Sequence, residues 1–221
     1  MSSFALRGEL LDVPSRVDRA SEARKARHRL YPVSIVYTAY ALALTTIALS
    51  RKGFLVAAGS FVLGGVAWTA LEYWVHRYIL HGRFPDGPGP KQHLLHKLFD
   101  HLHVEHHKRP WDGNHVSGTL KDTAPFAAIL VLLSWAFPLV TLPMFIAGLL
   151  QAYILEEWVH HTVHFCNFKL RYFQYIKRHH LYHHSPRGSE VGYGLTSGAW
   201  DMVCRTRIPE PERQALYGGL R

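Results

Sequence analysis

Uncharged apolar residues come in long blocks, and the charges fill the segments between them. Pro32 to Ser50 is 19 residues without a charge; Arg51 and Lys52 follow, and Gly53 to Leu71 is another 19 uncharged residues. A hydrocarbon core takes roughly 20 helical residues to cross, so each block predicts a spanning helix. Thr123 to Leu155 is a third uncharged stretch, 33 residues long. As one helix it would run about 50 Å, far more than one crossing needs. Pro138 and Pro143 bracket Leu-Val-Thr-Leu near its middle, and proline is poorly placed inside a helix. The stretch therefore predicts a tight helical hairpin. A re-entrant pair that never fully crosses is the alternative, because each half is slightly short.

The expected fold is all-α: an integral membrane four-helix bundle with a helical cap that holds a dinuclear histidine metal site. The spans are predicted at about 32–50, 53–75, 123–138 and 142–159, within a membrane domain over 32–221 that follows an N-terminal arm, 1–31. Four spans return both termini to one side, together with the histidine-rich segments 76–122 and 160–221. The run from Gly82 to Pro90, rich in glycine and proline, reads as a loop leaving the membrane.

Charge gives the orientation. The net formal charge is +9, with 25 Lys and Arg against 16 Asp and Glu, and of the basic residues only Arg51 and Lys52 fall in the predicted far loop. The positive-inside rule then places the near side in the cytoplasm, of the endoplasmic reticulum if the cell is eukaryotic and at the inner membrane if it is bacterial. A basic chain can suit nucleic acid or an anionic lipid surface; the apolar blocks choose the membrane, and no nucleic-acid partner is expected. Residues 1–31 are polar, without the apolar core of a signal peptide, and predict a mobile or membrane-surface arm. Cys166 and Cys204 form no CxxC pair and read as ordinary residues.

The chain has 17 histidines, and their placement says more than their number. They form His76-x4-His81, His103-x2-His106-His107, His160-x3-His164 and His180-x2-His183-His184. At roughly 100° per helical residue, positions i, i+3 and i+4 fall on one face, so each of the last three sets can converge. His76 and His81 fit less well: on a straight helix the second is turned about 140° from the first. Either the helix unwinds near His81, or the two bind different ions. Neutral imidazole is the commonest side-chain metal ligand, and ten of them point to two ions with about five ligands each. Imidazole suits Zn, Cu, Fe and Ni alike. His93, His96, His101, His115, His161 and His179 remain open as supporting, substrate-facing or exposed residues.

Carboxylates accompany two of the clusters. Glu72 precedes His76 by four residues, and Glu156 precedes His160 by four, with Glu157 beside it. At that spacing a carboxylate can accept the free ring N–H of a ligand histidine and fix its tautomer. An acid near a span end is costly unless partnered.

These motifs resemble the fatty acid hydroxylase superfamily of membrane di-iron enzymes, which includes sterol desaturases and carotenoid hydroxylases. The family's boxes, HxxxxH, HxxHH and HxxHH with a further pair on the last span, stand here as His76–His81, His103–His107, His180–His184 and His160 with His164. Gaps of 21 residues between the first two boxes and 72 before the last suit the pattern. Within it, the likeness is nearest to fatty acid 2-hydroxylases. It rests on Leu-Glu72-Tyr-Trp-Val-His76, on Arg-Pro110-Trp-Asp112, and on Gly192-Tyr-Gly-Leu-Thr-Ser-Gly-Ala-Trp200-Asp201. The resemblance runs from about residue 55 to about residue 208. Val116-Ser-Gly-Thr-Leu departs from the family's proline-rich stretch, which puts the substrate opening in doubt. No cytochrome b5 domain is expected before the first span.

The resemblance implies an O2-dependent monooxygenase that hydroxylates a fatty acyl or membrane lipid substrate with two iron ions, zinc being a possible occupant of purified protein. It implies a separate electron-transfer protein, of cytochrome b5 or ferredoxin type. No catalytic residue is expected beyond the metal ligands; Glu72, Glu156, Glu157, Asp112 and Asp201 are expected around them. A carotenoid or sterol hydroxylase or desaturase is the alternative within the superfamily. A histidine-rich metal transporter is the alternative from another class, and it would place its ligands near the bilayer midplane.

Overall fold

The computed structural model describes residues 17–50, 53–82, 84, 87–136 and 141–218, except the side chains of 99–102. Residues 1–16 of the arm, Arg51 and Lys52 of the far loop, Pro138 of the hairpin and the His101 side chain lie outside that description. The described residues are helical, without strands: α1 (Arg19–Ser50), α2 (Phe54–Trp74), α3 (Pro90–Leu95), α4 (His101–Lys108), α5 (Leu120–Trp135), α6 (Thr141–Phe165), α7 (Arg171–His183), α8 (Ala199–Val203) and α9 (Glu210–Tyr217). π-Helical segments follow α2 at Val75–Leu80 and α3 at His96–Asp100.

Among the described residues, three helices are long and apolar enough to cross a membrane: Arg19–Ser50, Phe54–Leu80 and Thr141–Phe165. α5, at 16 residues, is shorter. Their outward faces carry Ile35, Leu42, Leu49, Leu55, Val62, Leu63, Val66 and Leu132, all exposed. A contiguous apolar surface of this kind suits lipid and is rare in water.

α6 is the hub. Position by position, α2 and α6 rise together: Gly64 lies against Phe145 and Leu149, and Gly65 against Gly148 and Ala152. α1 runs the other way. Its Ala41, Leu44 and Ala48 pack with Met144 and Ala147, Thr38 donates to Gln151 at 3.2 Å, and Trp158 donates to Ser34 at 3.0 Å. The C-terminal ends of α2 and α6 therefore emerge side by side. α5 starts beside them, with Thr119 and Asp122 forming a reciprocal cap.

The expectation of a mobile or surface-lying arm is corrected over its described part. Helix begins at Arg19 and continues through Pro32. Ala23, Ala26 and Leu30 are buried, the Glu22 carboxylate accepts the Gly113 N–H at 2.9 Å, and Arg29 donates to the Ser117 carbonyl at 3.0 Å. The polar first turns are thereby tied to the loop after α4.

Candidate metal centre

Ten histidines converge where α2 and α6 end and α4 and α7 cover them. They divide into two groups of five: His76, His81, His103, His107 and His183; and His106, His160, His164, His180 and His184. In each group the candidate donor atoms all lie within 4.8 Å of one another.

The division has an internal symmetry. The first HxxHH box sends its outer pair, His103 and His107, to group one and its middle residue, His106, to group two. The last box does the reverse, with His180 and His184 in group two and His183 in group one. On a helix, residues i and i+4 form one row, while i+3 lies on a neighbouring row. Each cap helix thus spans both groups. α2 with its π turn completes the first, and α6 completes the second. His107 and His184 mark the seam, with ring centroids 4.3 Å apart.

The π turn settles the awkward spacing of the first box. His81 N–H donates to the His76 carbonyl at 3.1 Å, an i+5 bond that widens the turn and brings both imidazoles to one side. Both belong to group one.

The donor chemistry fits metal ions. Nε2–Nε2 separations are 3.2 Å for His76–His103, 3.0 Å for His81–His183, 3.0 Å for His106–His160, 3.0 Å for His160–His180 and 2.9 Å for His180–His184. At metal–nitrogen bonds of roughly 2.1 Å, ligands at right angles sit about 3.0 Å apart and tetrahedral ones about 3.4 Å. The separations fall in the range that donors to one metal ion take. Nε2 of His107 is buried without a hydrogen-bond partner among the described residues. Burial holds the imidazoles of His103, His106, His180 and His184 well below their ordinary pKa, His107 at about 2 and His183 at about 4. Neutral rings keep their lone pairs for a cation.

Two ligand rings are fixed by carbonyls that residue spacing does not reveal. His76 donates its Nδ1–H to the Tyr193 carbonyl, and His183 donates to that of Val191 at 2.8 Å. Those N–H bonds leave Nε2 free for the metal. Between the two carbonyls sits Gly192, at φ +68°, where a side chain would be strained. The Gly-x-Gly of the tail was the signal in the sequence.

The carboxylates are placed otherwise than expected. Glu72 does not receive the His76 ring; it accepts Leu195 N–H, Thr196 N–H and the Thr196 hydroxyl. Glu156 accepts Trp68 Nε1–H at 2.7 Å, and Glu157 accepts the Tyr153 hydroxyl at 3.0 Å. Asp112 caps its own turn, accepting Asn114 N–H at 3.0 Å. Asp201 accepts Tyr193 N–H, Gly194 N–H and the Thr206 hydroxyl, and lies 3.3 Å from His179 Nε2. At His76 the expected carboxylate is thus replaced by a backbone acceptor, the Tyr193 carbonyl of the loop after α7.

Of the histidines left open, His93, His96, His115, His161 and His179 belong to neither group. His96 bonds to the Phe84 carbonyl at 2.8 Å, and His161 to that of Ala23 at 3.3 Å. Cys166 and Cys204 are free thiols outside both groups.

Comparison with known proteins follows the same residues. The family model for fatty acid hydroxylases matches residues 61–206. Fatty acid 2-hydroxylase of Rattus norvegicus is 34% identical over 158 residues, covering 69% of this chain and 40% of the rat protein. Dihydroceramide fatty acyl 2-hydroxylase FAH2 of Arabidopsis thaliana is 33% identical over 150 residues, covering 65% of this chain and 58% of that protein. The solved structure of full-length scs7p, with only its hydroxylase domain visible, superposes with a TM-score of 0.67 at 26% identity, covering 81% of this chain and 67% of that one. The matches to the rat and mouse proteins span about two fifths of their length.

Proposed function

This chain belongs to the fatty acid hydroxylase family, and on that premise we propose that it hydroxylates a lipid acyl chain at carbon 2, using O2 and two iron ions held by the two histidine groups. The observation that carries the proposal is the pair of five-histidine groups at the common end of two parallel apolar helices. The names of the rat and Arabidopsis relatives support the position of attack.

Bound iron supplies the activation of O2 needed to break an unactivated C–H bond. One oxygen atom enters the substrate and the other leaves as water, with two electrons and two protons from outside. A separate electron-transfer protein of cytochrome b5 or ferredoxin type delivers the electrons. His76, His81, His103, His107 and His183 hold the first ion, and His106, His160, His164, His180 and His184 the second. The Val191 and Tyr193 carbonyls orient two of those rings, and α4 and α7 shield the site from water.

The proposal includes four spans, with α5 as the short fourth, and the histidine segments 76–122 and 160–221 on the cytoplasmic side. The basic residues outside 51–52 support that orientation. A site at the cytoplasmic end of the spans lets an acyl chain slide in from the bilayer while its polar end stays at the interface.

Lipid mass spectrometry on cells expressing the wild type or His183→Ala, with an active electron donor supplied, tests this reading. A lipid pool that gains one oxygen at carbon 2 only with the wild type is the expected result. Loss of two hydrogens instead makes the protein a desaturase, and an unchanged lipid pool overturns the substrate class.

A further inference from the structure

Four consecutive backbone N–H groups are received by two buried carboxylates. Asp201 accepts Tyr193 N–H at 2.9 Å and Gly194 N–H at 3.0 Å. Glu72 accepts Leu195 N–H at 2.5 Å and Thr196 N–H at 2.8 Å, and its other oxygen accepts the Thr196 hydroxyl at 2.6 Å. Glu72 and Asp201 are 4% and 1% exposed, so neither exchanges these donors for water. With its amides held on that side, the loop turns the Val191 and Tyr193 carbonyls toward His183 and His76.

Group two is supported differently. The His160 ring lies near the Val116 carbonyl, but the buried Nδ1 atoms of His106, His180 and His184 meet no hydrogen-bond partner among the described residues. A ring N–H given to a carbonyl both fixes the imidazole and makes its opposite nitrogen a better donor. Losing such support commonly costs 10–100-fold in metal affinity.

We infer that the two metal sites are unequal: group one holds its ion more tightly, and Glu72 and Asp201 are the positioning residues that make it so, acting through the 191–196 loop. The inference rests on the two-ion reading above. Burial alone ranks the sites the other way, since His81 and His107 of group one are only half-buried against His164 alone of group two. The two accounts therefore give opposite results.

The test uses the full chain in detergent micelles, loaded with Zn2+ and equilibrated with graded concentrations of a chelator, with retained metal counted by mass spectrometry. Two release steps separated by about tenfold or more in chelator are expected. His184→Ala retains the tight step alone, and His183→Ala the weak step alone. Glu72→Gln and Asp201→Asn shift only the tight step, by about tenfold. If those two variants fail to fold, Thr196→Val, which removes only the hydroxyl's bond to Glu72, moves the same step in the same direction. Two ions leaving in a single step overturn the inference, as does a tight ion lost with His184→Ala or a tight step unmoved in every folded loop variant. Fewer than two ions in the loaded wild type overturns the two-ion reading itself, a result distinct from two equal sites.

Discussion

His76 and His81 stand five residues apart and still face one group of ligands, because the turn between them is π-helical and closes with a bond from His81 N–H to the His76 carbonyl. Regular α-helix would favour a spacing of four. The double substitution Leu80→His with His81→Leu restores that spacing on paper. It should lower the metal bound at saturation from two ions toward one, measured by mass spectrometry of purified protein. Full loading of the double variant would mean that the turn relaxes to α-helix and is no fixed part of the site.

α2 and α6 meet through glycine. A Cβ at Gly64 would lie 1.9 Å from the Phe145 carbonyl oxygen, and one at Gly148 would lie 1.9 Å from that of Phe61. These are backbone atoms, so the helices themselves must part. Gly64→Ala and Gly148→Ala should each destabilise the protein by about 1–3 kcal/mol, the usual cost of overpacking, read as a lower melting temperature in detergent. Gly59 has nothing within 4 Å of its would-be Cβ, and Gly59→Ala should melt no lower than wild type. Equal melting of all three variants would remove the close crossing.

Acid should destabilise the metal-free protein. Burial holds His183 at about 4 and His107 at about 2, against an ordinary value of 6.5. Between these values the unfolded chain binds more protons than the folded one, so stability falls as pH falls. The contribution is fully present above about pH 6.5 and is lost progressively toward about pH 4 for His183. The metal-free melting temperature should stay level from about pH 8.5 to 7.5 and drop from about pH 6.5 to 5. A rise on acidification would contradict neutral burial of these rings.

Much of this was legible from residue spacing. The uncharged blocks announced long apolar helices, and the histidine boxes announced that ten imidazoles would converge, as the two five-histidine groups do. Glu72 shows where such reading stops. Its place four residues before His76 suggested a direct bond, but the ring's N–H is taken by a carbonyl 117 positions away. The Glu72 carboxylate instead holds the loop that supplies that carbonyl. Arg19 to Leu30 shows the same limit: its polar composition suggested a mobile or membrane-surface arm, whereas bonds to Gly113 and Ser117 and burial of one face hold the helix against the loop after α4.

By itself, then, the sequence determined the properties that are local along the chain: which segments are apolar enough for lipid, and which histidines share a helical face. Helix periodicity and hydrophobicity act over a few residues, so spacing is enough to read them. Only the tertiary structure decided which five histidines gather into one group, how the π turn reconciles His76 with His81, and which backbone carbonyls hold the rings. Those depend on the parallel packing of α2 against α6 and on the loop from Val191 to Thr196 folding back onto Glu72. Contacts between distant segments form only once the helices have docked, and no local pattern in the chain encodes them.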